Sequence, residues 1–181
     1  EVQLAAVKKY GGAIKDIVKN GIVPSEEVQL AAVTQDGSAI KDIVKNGIVP
    51  SEGVQLAAVA QDGDIIVWIR NPSEKVQLVA VNEDGRAIEH IANPSEKVQL
   101  AAVKNYDYAI EYIIAKGINP SEEVQIDFVT QNSDTIKNID NPSEGVQLAA
   151  VTQNSYTIKY IIDKGIIPSE EVQLAAVTQN V

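Results

Sequence analysis

The apolar positions of this chain recur as a short cassette, Val-Gln-Leu-Ala-Ala-Val, preceded by Pro-Ser-Glu and followed by a turn. Its fullest form is Pro24-Ser25-Glu26-Glu27-Val28-Gln29-Leu30-Ala31-Ala32-Val33. The Val-Gln pair returns at Val2, Val28, Val54, Val76, Val98, Val124, Val146 and Val172, at intervals of 26, 26, 22, 22, 26, 22 and 26 residues. Self-similarity with such a period marks an array of stacked supersecondary units. Projected on a helix, Val28, Leu30, Ala31, Ala32 and Val33 cover most of the circumference, and only the side of Glu27, Thr34 and Gln35 stays polar. A helix apolar nearly all round is buried between neighbours. Val28, Leu30 and Ala32 also alternate as in a strand, but alanine is poor in strands and Pro-Ser-Glu is a helix start.

The flanking residues predict where each helix begins and ends. In the shorter repeats Asn71, Asn93 or Asn141 precedes the proline, which predicts Asn at the N-cap, Pro at N1 and Glu at N3. Asp36-Gly37, Asp62-Gly63, Asp84-Gly85 and their relatives predict a stop with Gly or Asn in the left-handed conformation. A second helix follows, as in Ala39-Ile40-Lys41-Asp42-Ile43-Val44, with Ile40, Ile43 and Val44 as its buried stripe. In the 26-residue repeats it is expected to run one turn longer and to close on Gly21, Gly47, Gly117 or Gly165, each followed by Ile. Gly at C′ with an apolar residue beyond it is the pattern of a Schellman ending.

The expectation is an all-α protein, a right-handed α-solenoid of short helix-turn-helix repeats with eight first helices and seven second helices, about fifteen in all. It forms a single array over 1–181, with units near 2–27, 28–53, 54–75, 76–97, 98–123, 124–145 and 146–171 and a partial unit at 172–181. Because both ends fall inside the motif, the 181 residues are expected to be a piece of a longer array. The uncapped segments Val2–Val7 and Val172–Val177 are expected to allow end-to-end self-association.

Comparison of the chain with itself separates a constant frame from variable positions. The Gln after Val is the same in all eight units, and a buried amide must be hydrogen-bonded, so a ladder from Gln to the backbone of neighbouring units is expected. Two columns of the second helix vary instead. One runs Gly12, Ser38, Asp64, Arg86, Tyr108, Asp134, Tyr156, and the other, four residues on, Asp16, Asp42, Trp68, His90, Tyr112, Asn138, Tyr160. Residues at i and i+4 share a helix face, so stacking sets the columns side by side. Trp and Tyr are frequent interface anchors, which makes Trp68, Arg86, His90, Tyr108, Tyr112, Tyr156 and Tyr160 the candidate partner-binding residues. Unselected surface drift is the alternative explanation of the same variation.

Composition removes most other functions. The net charge is −10 and the basic stripe that nucleic-acid binding needs is missing. There is no cysteine and a single histidine, His90, so no metal site of the usual ligand types is expected. The paired carboxylates Glu26-Glu27, Glu122-Glu123 and Glu170-Glu171 recur at helix starts, where they are partners of the helix dipole. Serines fall mainly in Pro-Ser-Glu, no phosphate loop occurs, and no apolar run approaches the ~20 residues of a membrane span. No catalytic residue, cofactor or metal is expected, and the chain is not expected to be an enzyme.

The Val-Gln-Leu-Ala-Ala-Val-Thr-Gln-Asp-Gly-Ser-Ala-Ile unit resembles the repeats of a bacterial and viral helical-repeat family of unknown function, along the whole chain. That resemblance implies an α-helical repeat and no activity. The helix-turn-helix outline, with Pro-acidic openings and a variable pair at Tyr10-Gly11, Asp36-Gly37, Tyr106-Asp107 and Asn132-Ser133, also resembles transcription-activator-like effector repeats. The present units are shorter, and the basic loop of those repeats is missing. The expected function is a non-enzymatic protein-interaction module or scaffold. The alternatives are an acidic nucleic-acid mimic and a structural spacer in a larger protein.

Overall fold

The computed structural model describes residues 1–178, so the last three positions of the partial eighth repeat lie outside the described residues. The protein is all-α. Among the described residues there is no strand, and eight first helices alternate with seven second helices. The chain divides into two compact units, Glu1–Ala102 and Val103–Val181.

In the first unit the first helices are Val2–Lys9, Glu26–Gln35, Glu52–Val59 and Glu74–Glu83. Each packs on the next, which seals Val28, Ala32 and Val33, then Val54, Ala58 and Val59, then Val76, Ala80 and Val81. Leu30, counted above among the buried positions, lies outward at 41% exposure. The second helices are Gly11–Ala13 continuing as Ile14–Lys19, then Ala39–Lys45, Gly63–Trp68 and Gly85–His90, and they too pack in succession. Ile14, Ile40, Ile43, Ile66 and Ile88 are fully enclosed, each contributing about 1.5–3 kcal/mol relative to exposure.

The second unit repeats the scheme with Ala109–Ala115, Glu122–Gln131, Ser133–Asn138, Glu144–Gln153, Ser155–Thr157 continuing as Ile158–Asp163, and Glu170–Thr178. Phe128 occupies a cassette position that is alanine in most repeats, and it is buried along with Ile110, Ile113, Ile136 and Ile161.

The first helices start two residues later than their sequence suggests. The N-cap is the serine, not Asn71, Asn93 or Asn141, and Ser25, Ser51, Ser73, Ser121 and Ser143 each accept a hydrogen bond from the valine N–H three residues on. Proline stands outside the helix, and its carbonyl is occupied. Gln29 Nε2 donates to Pro24 O at 2.9 Å, Gln55 to Pro50 O, Gln77 to Pro72 O, Gln125 to Pro120 O and Gln147 to Pro142 O. The invariant glutamine therefore bonds the proline five residues before it, at the start of its own first helix, instead of the backbone of a stacked neighbour. The bridge comes from other residues. Gln61 Nε2 donates to Val33 O at 2.5 Å while Gln61 Oε1 accepts from Gly37 N at 3.1 Å. Four of the serines add a contact to the preceding repeat. Ser51 Oγ donates to Glu26 Oε1, Ser73 to Glu52 and Ser95 to Glu74, all at 2.5 Å, and Ser143 donates to Glu122.

The turn after the first helix also differs from expectation. Asp36, Asp62 and Asp84 are extended, and the glycines that follow have no positive φ. Those glycines serve close approach instead. A Cβ on Gly63 would stand 2.4 Å from Ala80 O, and one on Gly11 2.7 Å from Ala32 O. Among the glycines, positive φ is found where the longer repeats end, at Gly21, Gly47, Gly117 and Gly165, and Asn71 of a shorter repeat also has positive φ. There Ile48 N donates to Ile43 O and Gly47 N to Val44 O, with the same pair at Ile118 and Gly117. These are Schellman endings, as the sequence indicates.

The second helices of the 22-residue repeats are not α-helices shortened by a turn. Gly63–Trp68, Gly85–His90 and Ser133–Asn138 are 3₁₀ throughout, and each leads into an extended isoleucine, Ile69, Ile91 or Ile139. Of the four residues that the shorter repeats lack, Lys45–Ile48 in the longer repeat, only Lys45 is α-helical, so the two kinds of second helix differ in winding more than in length. The tighter winding lets the shorter repeat present an isoleucine pair, such as Ile88 and Ile91, to the same core.

Candidate interaction surface on the second helices

The two variable columns lie on the second helices, and most of their side chains are exposed or half-buried. In the first unit the stacking brings Trp68 and His90 to one hollow of about 320 Å³, which Lys41, Asp62 and Asp64 also line. Lys41 Nζ and Lys45 Nζ each sit 4.9 Å from the centroid of the Trp68 ring. Both lysines come from the preceding repeat, so the indole is held by cations that the array itself supplies. His90 Nε2 lies 3.8 Å from Asp64 Oδ1, a residue of the other column one repeat earlier. That distance is too long for a direct hydrogen bond.

Arg86 does not join this hollow. Its guanidinium turns back to its own turn, with Nη2 2.6 Å from Asp84 Oδ2 and Nε 3.1 Å from both carboxylate oxygens. Asp84 also accepts from the Arg86 backbone N–H at 2.9 Å, which caps the 3₁₀ helix. The hydrogen bond from the Arg86 side chain holds the Asp84 carboxyl below its usual range, with partial burial working the other way. Asp36, Asp62, Asn132 and Asn154 make the same bond to the N–H two residues on, so this column of short polar side chains caps helices.

In the second unit Tyr108 and Tyr112 meet each other through a residue outside the two columns. Tyr106, in the turn, has its ring 5.7 Å from Tyr108 at an interplanar angle of 57°, and 6.2 Å from Tyr112 at 30°. The three rings, with Glu111 and Ala115, line a hollow of about 520 Å³. Tyr106 stands where an aspartate or asparagine caps the second helix in most other repeats, and the helix at Ala109 has no side-chain cap. Glu111 is positioned by the next repeat, since Asn138 Nδ2 donates to Glu111 Oε1 at 2.8 Å. Tyr156 and Tyr160 stand on the last complete repeat, Tyr156 at 79% exposure.

No family model matches the chain, and no curated protein matches it.

Two further hollows follow from repeat length. Where a 26-residue repeat precedes a 22-residue repeat, the longer helix overhangs the shorter one. One such step, lined by Val44, Gly47, Ile48, Gln55, Ile69 and Arg70, encloses about 210 Å³. The other, lined by Ile114, Gly117, Gln125, Asn138, Ile139 and Asp140, encloses about 370 Å³. Among the described residues no group of three or more His, Asp or Glu side chains is gathered as a metal site, and no helix is long and apolar enough to cross a membrane. Tyr106, Lys41, Lys45 and Glu111 are the members of this surface that the column pattern missed. The variable turn pair Tyr106-Asp107 was the one signal that could have pointed to Tyr106.

Proposed function

We propose that the chain is a non-enzymatic protein-interaction module, an α-solenoid frame whose second helices present Trp68, His90, Tyr108, Tyr112, Tyr156 and Tyr160 to a protein partner. The observation that carries this reading is where the repeats differ. Positions packed between repeats, such as Val28, Ala32 and Ile40, change little from unit to unit, whereas the accessible columns range over Gly, Ser, Asp, Arg, His, Tyr and Trp. Aromatic side chains held in place by their neighbours lose little freedom on binding, which suits them as anchors. The test is capture of binding proteins by the chain and by a Trp68→Ala, Tyr112→Ala, Tyr160→Ala variant of equal melting temperature. Selective loss of one protein from the variant supports the reading, and identical capture overturns it.

One observation favours the acidic-mimic alternative. Ser51, Ser73 and Ser95 fix the carboxylates of Glu26, Glu52 and Glu74 as a regular row. A mimic requires binding that weakens with salt and with Glu→Gln changes along that row, and the interaction module requires neither.

A further inference from the structure

We propose that the corner formed by Tyr106, Tyr108, Tyr112 and Glu111 binds an alkylated ammonium group, presented as a trimethylated lysine by a basic partner protein. This inference rests on the interaction reading above and names the chemistry of one of its sites. Three tyrosine rings and one carboxylate converge on a single hollow of about 520 Å³, within the range of about 300–1,000 Å³ that ligand sites occupy. The 57° tilt between Tyr106 and Tyr108 makes a corner instead of a flat stack. Ring centroids 5.7 and 6.2 Å apart leave points that lie within about 6 Å of more than one centroid, the reach over which a ring attracts a cation.

Two other observations set the sign and the place. Glu111 supplies a full negative charge at the wall, and its hydrogen bond from Asn138 keeps it there. The chain also provides an internal precedent in its first unit. The column position that Tyr112 occupies is filled by Trp68 two repeats earlier, and Trp68 carries Lys41 and Lys45 over its ring. A bare ammonium is strongly hydrated and resists transfer to a half-open corner. Methylation weakens that hydration and adds surface that the rings and the Ala115 methyl can cover. The net charge of −10 favours a basic partner.

The experiment is an NMR titration of the whole chain, read at the tyrosine rings, with a peptide carrying trimethyl-lysine. The same peptide with unmodified lysine, choline, and 3,3-dimethylbutan-1-ol, the neutral isostere of choline, serve as comparisons. The trimethyl-lysine peptide should shift Tyr108 and Tyr112 saturably. Unmodified lysine should bind at least about fivefold more weakly, the neutral isostere should not saturate, and Tyr108→Leu and Glu111→Gln should each weaken binding by about five- to tenfold. Tyr108 is 57% exposed, so its replacement leaves the core intact. Equal binding of the neutral isostere, unchanged binding by Tyr108→Leu, or no saturation by any cation would overturn the proposal. Choline binding more tightly than the peptide would overturn its assignment to a protein partner. None of these results would touch the broader interaction reading, which stands or falls on protein capture by the chain and its Trp68→Ala, Tyr112→Ala, Tyr160→Ala variant.

Discussion

The second helices Ala39–Lys45 and Gly85–His90 lie in the same unit, start from equivalent aspartates and bury equivalent isoleucines, yet one is α and the other 3₁₀. The difference traces to four residues, Lys45-Asn46-Gly47-Ile48, present in one repeat and absent from the other. With them, the helix completes its turn and stops on a left-handed glycine. Without them, the chain winds more tightly and passes through extended Ile91 to reach the next proline. The core hardly registers the change, because Ile40 and Ile43 correspond to Ile88 and Ile91 in burial. The surface registers all of it. Hollows open at the steps from long to short repeats, and Lys45, which reaches over Trp68, belongs to the four-residue segment itself. Repeat length is thus a means of changing the accessible face while the stacking frame stays the same.

The sharpest way to break this comparison uses its two kinds of glycine. Gly63 belongs to the shared frame, and Gly63→Ala should cost about 2–3 kcal/mol, because the new methyl meets a backbone carbonyl in the next repeat. Gly47 belongs to the length-specific ending and has open space around it, so Gly47→Ala should cost about 1 kcal/mol, from its positive φ alone. Thermal melts of the two variants check this, and the reverse order would show that the roles are misassigned. Ser73→Ala, which removes an N-cap common to both repeat lengths, should cost about 1 kcal/mol. Deleting Lys45–Ile48 should give a folded protein with less α-helical circular dichroism and a red-shifted Trp68 emission. An unchanged spectrum would mean that the four residues do not set the winding.

The smallest effect is expected at Arg86. Its side chain is 61% exposed, so Arg86→Ala should cost no more than a few tenths of a kcal/mol. Because the Asp84 pKa is lowered in the folded protein, that contribution exists above about pH 4 and disappears as pH falls through the lowered value. Melting temperatures of variant and parent should converge in acid.

Much of the frame was legible in the sequence, because repetition multiplies each weak local signal. The eight cassettes, the alternation of two helices and the glycine endings all follow from period and turn chemistry. What escaped depends on choices between equivalent local partners. Asn71 and Ser73 are both good N-caps, and the second prevails because Gln77 takes the Pro72 carbonyl and holds the proline outside the helix. Gly63 looks like a left-handed stop, but its need for space appears only when Ala80 of the next repeat is in place. The 3₁₀ winding of Gly85–His90 answers a distance the chain must span, and such a distance is not written in residue preferences. For the surface, the columns of Trp68 and Tyr112 could be read by spacing. Tyr106 could not, because it joins Tyr108 and Tyr112 across a turn.

We propose that recognition resides in the variable columns and that the frame only carries them. The most direct test replaces Trp68, Tyr108, Tyr112, Tyr156 and Tyr160 with the Ser, Asp or Asn found at the same columns in other repeats, and first confirms an unchanged melt. A photo-crosslinker placed at position 68 or 112 of the parent chain then identifies what touches those positions. The account predicts one crosslinked partner whose binding the column-replaced chain has lost. A partner retained at full affinity by that chain would contradict it.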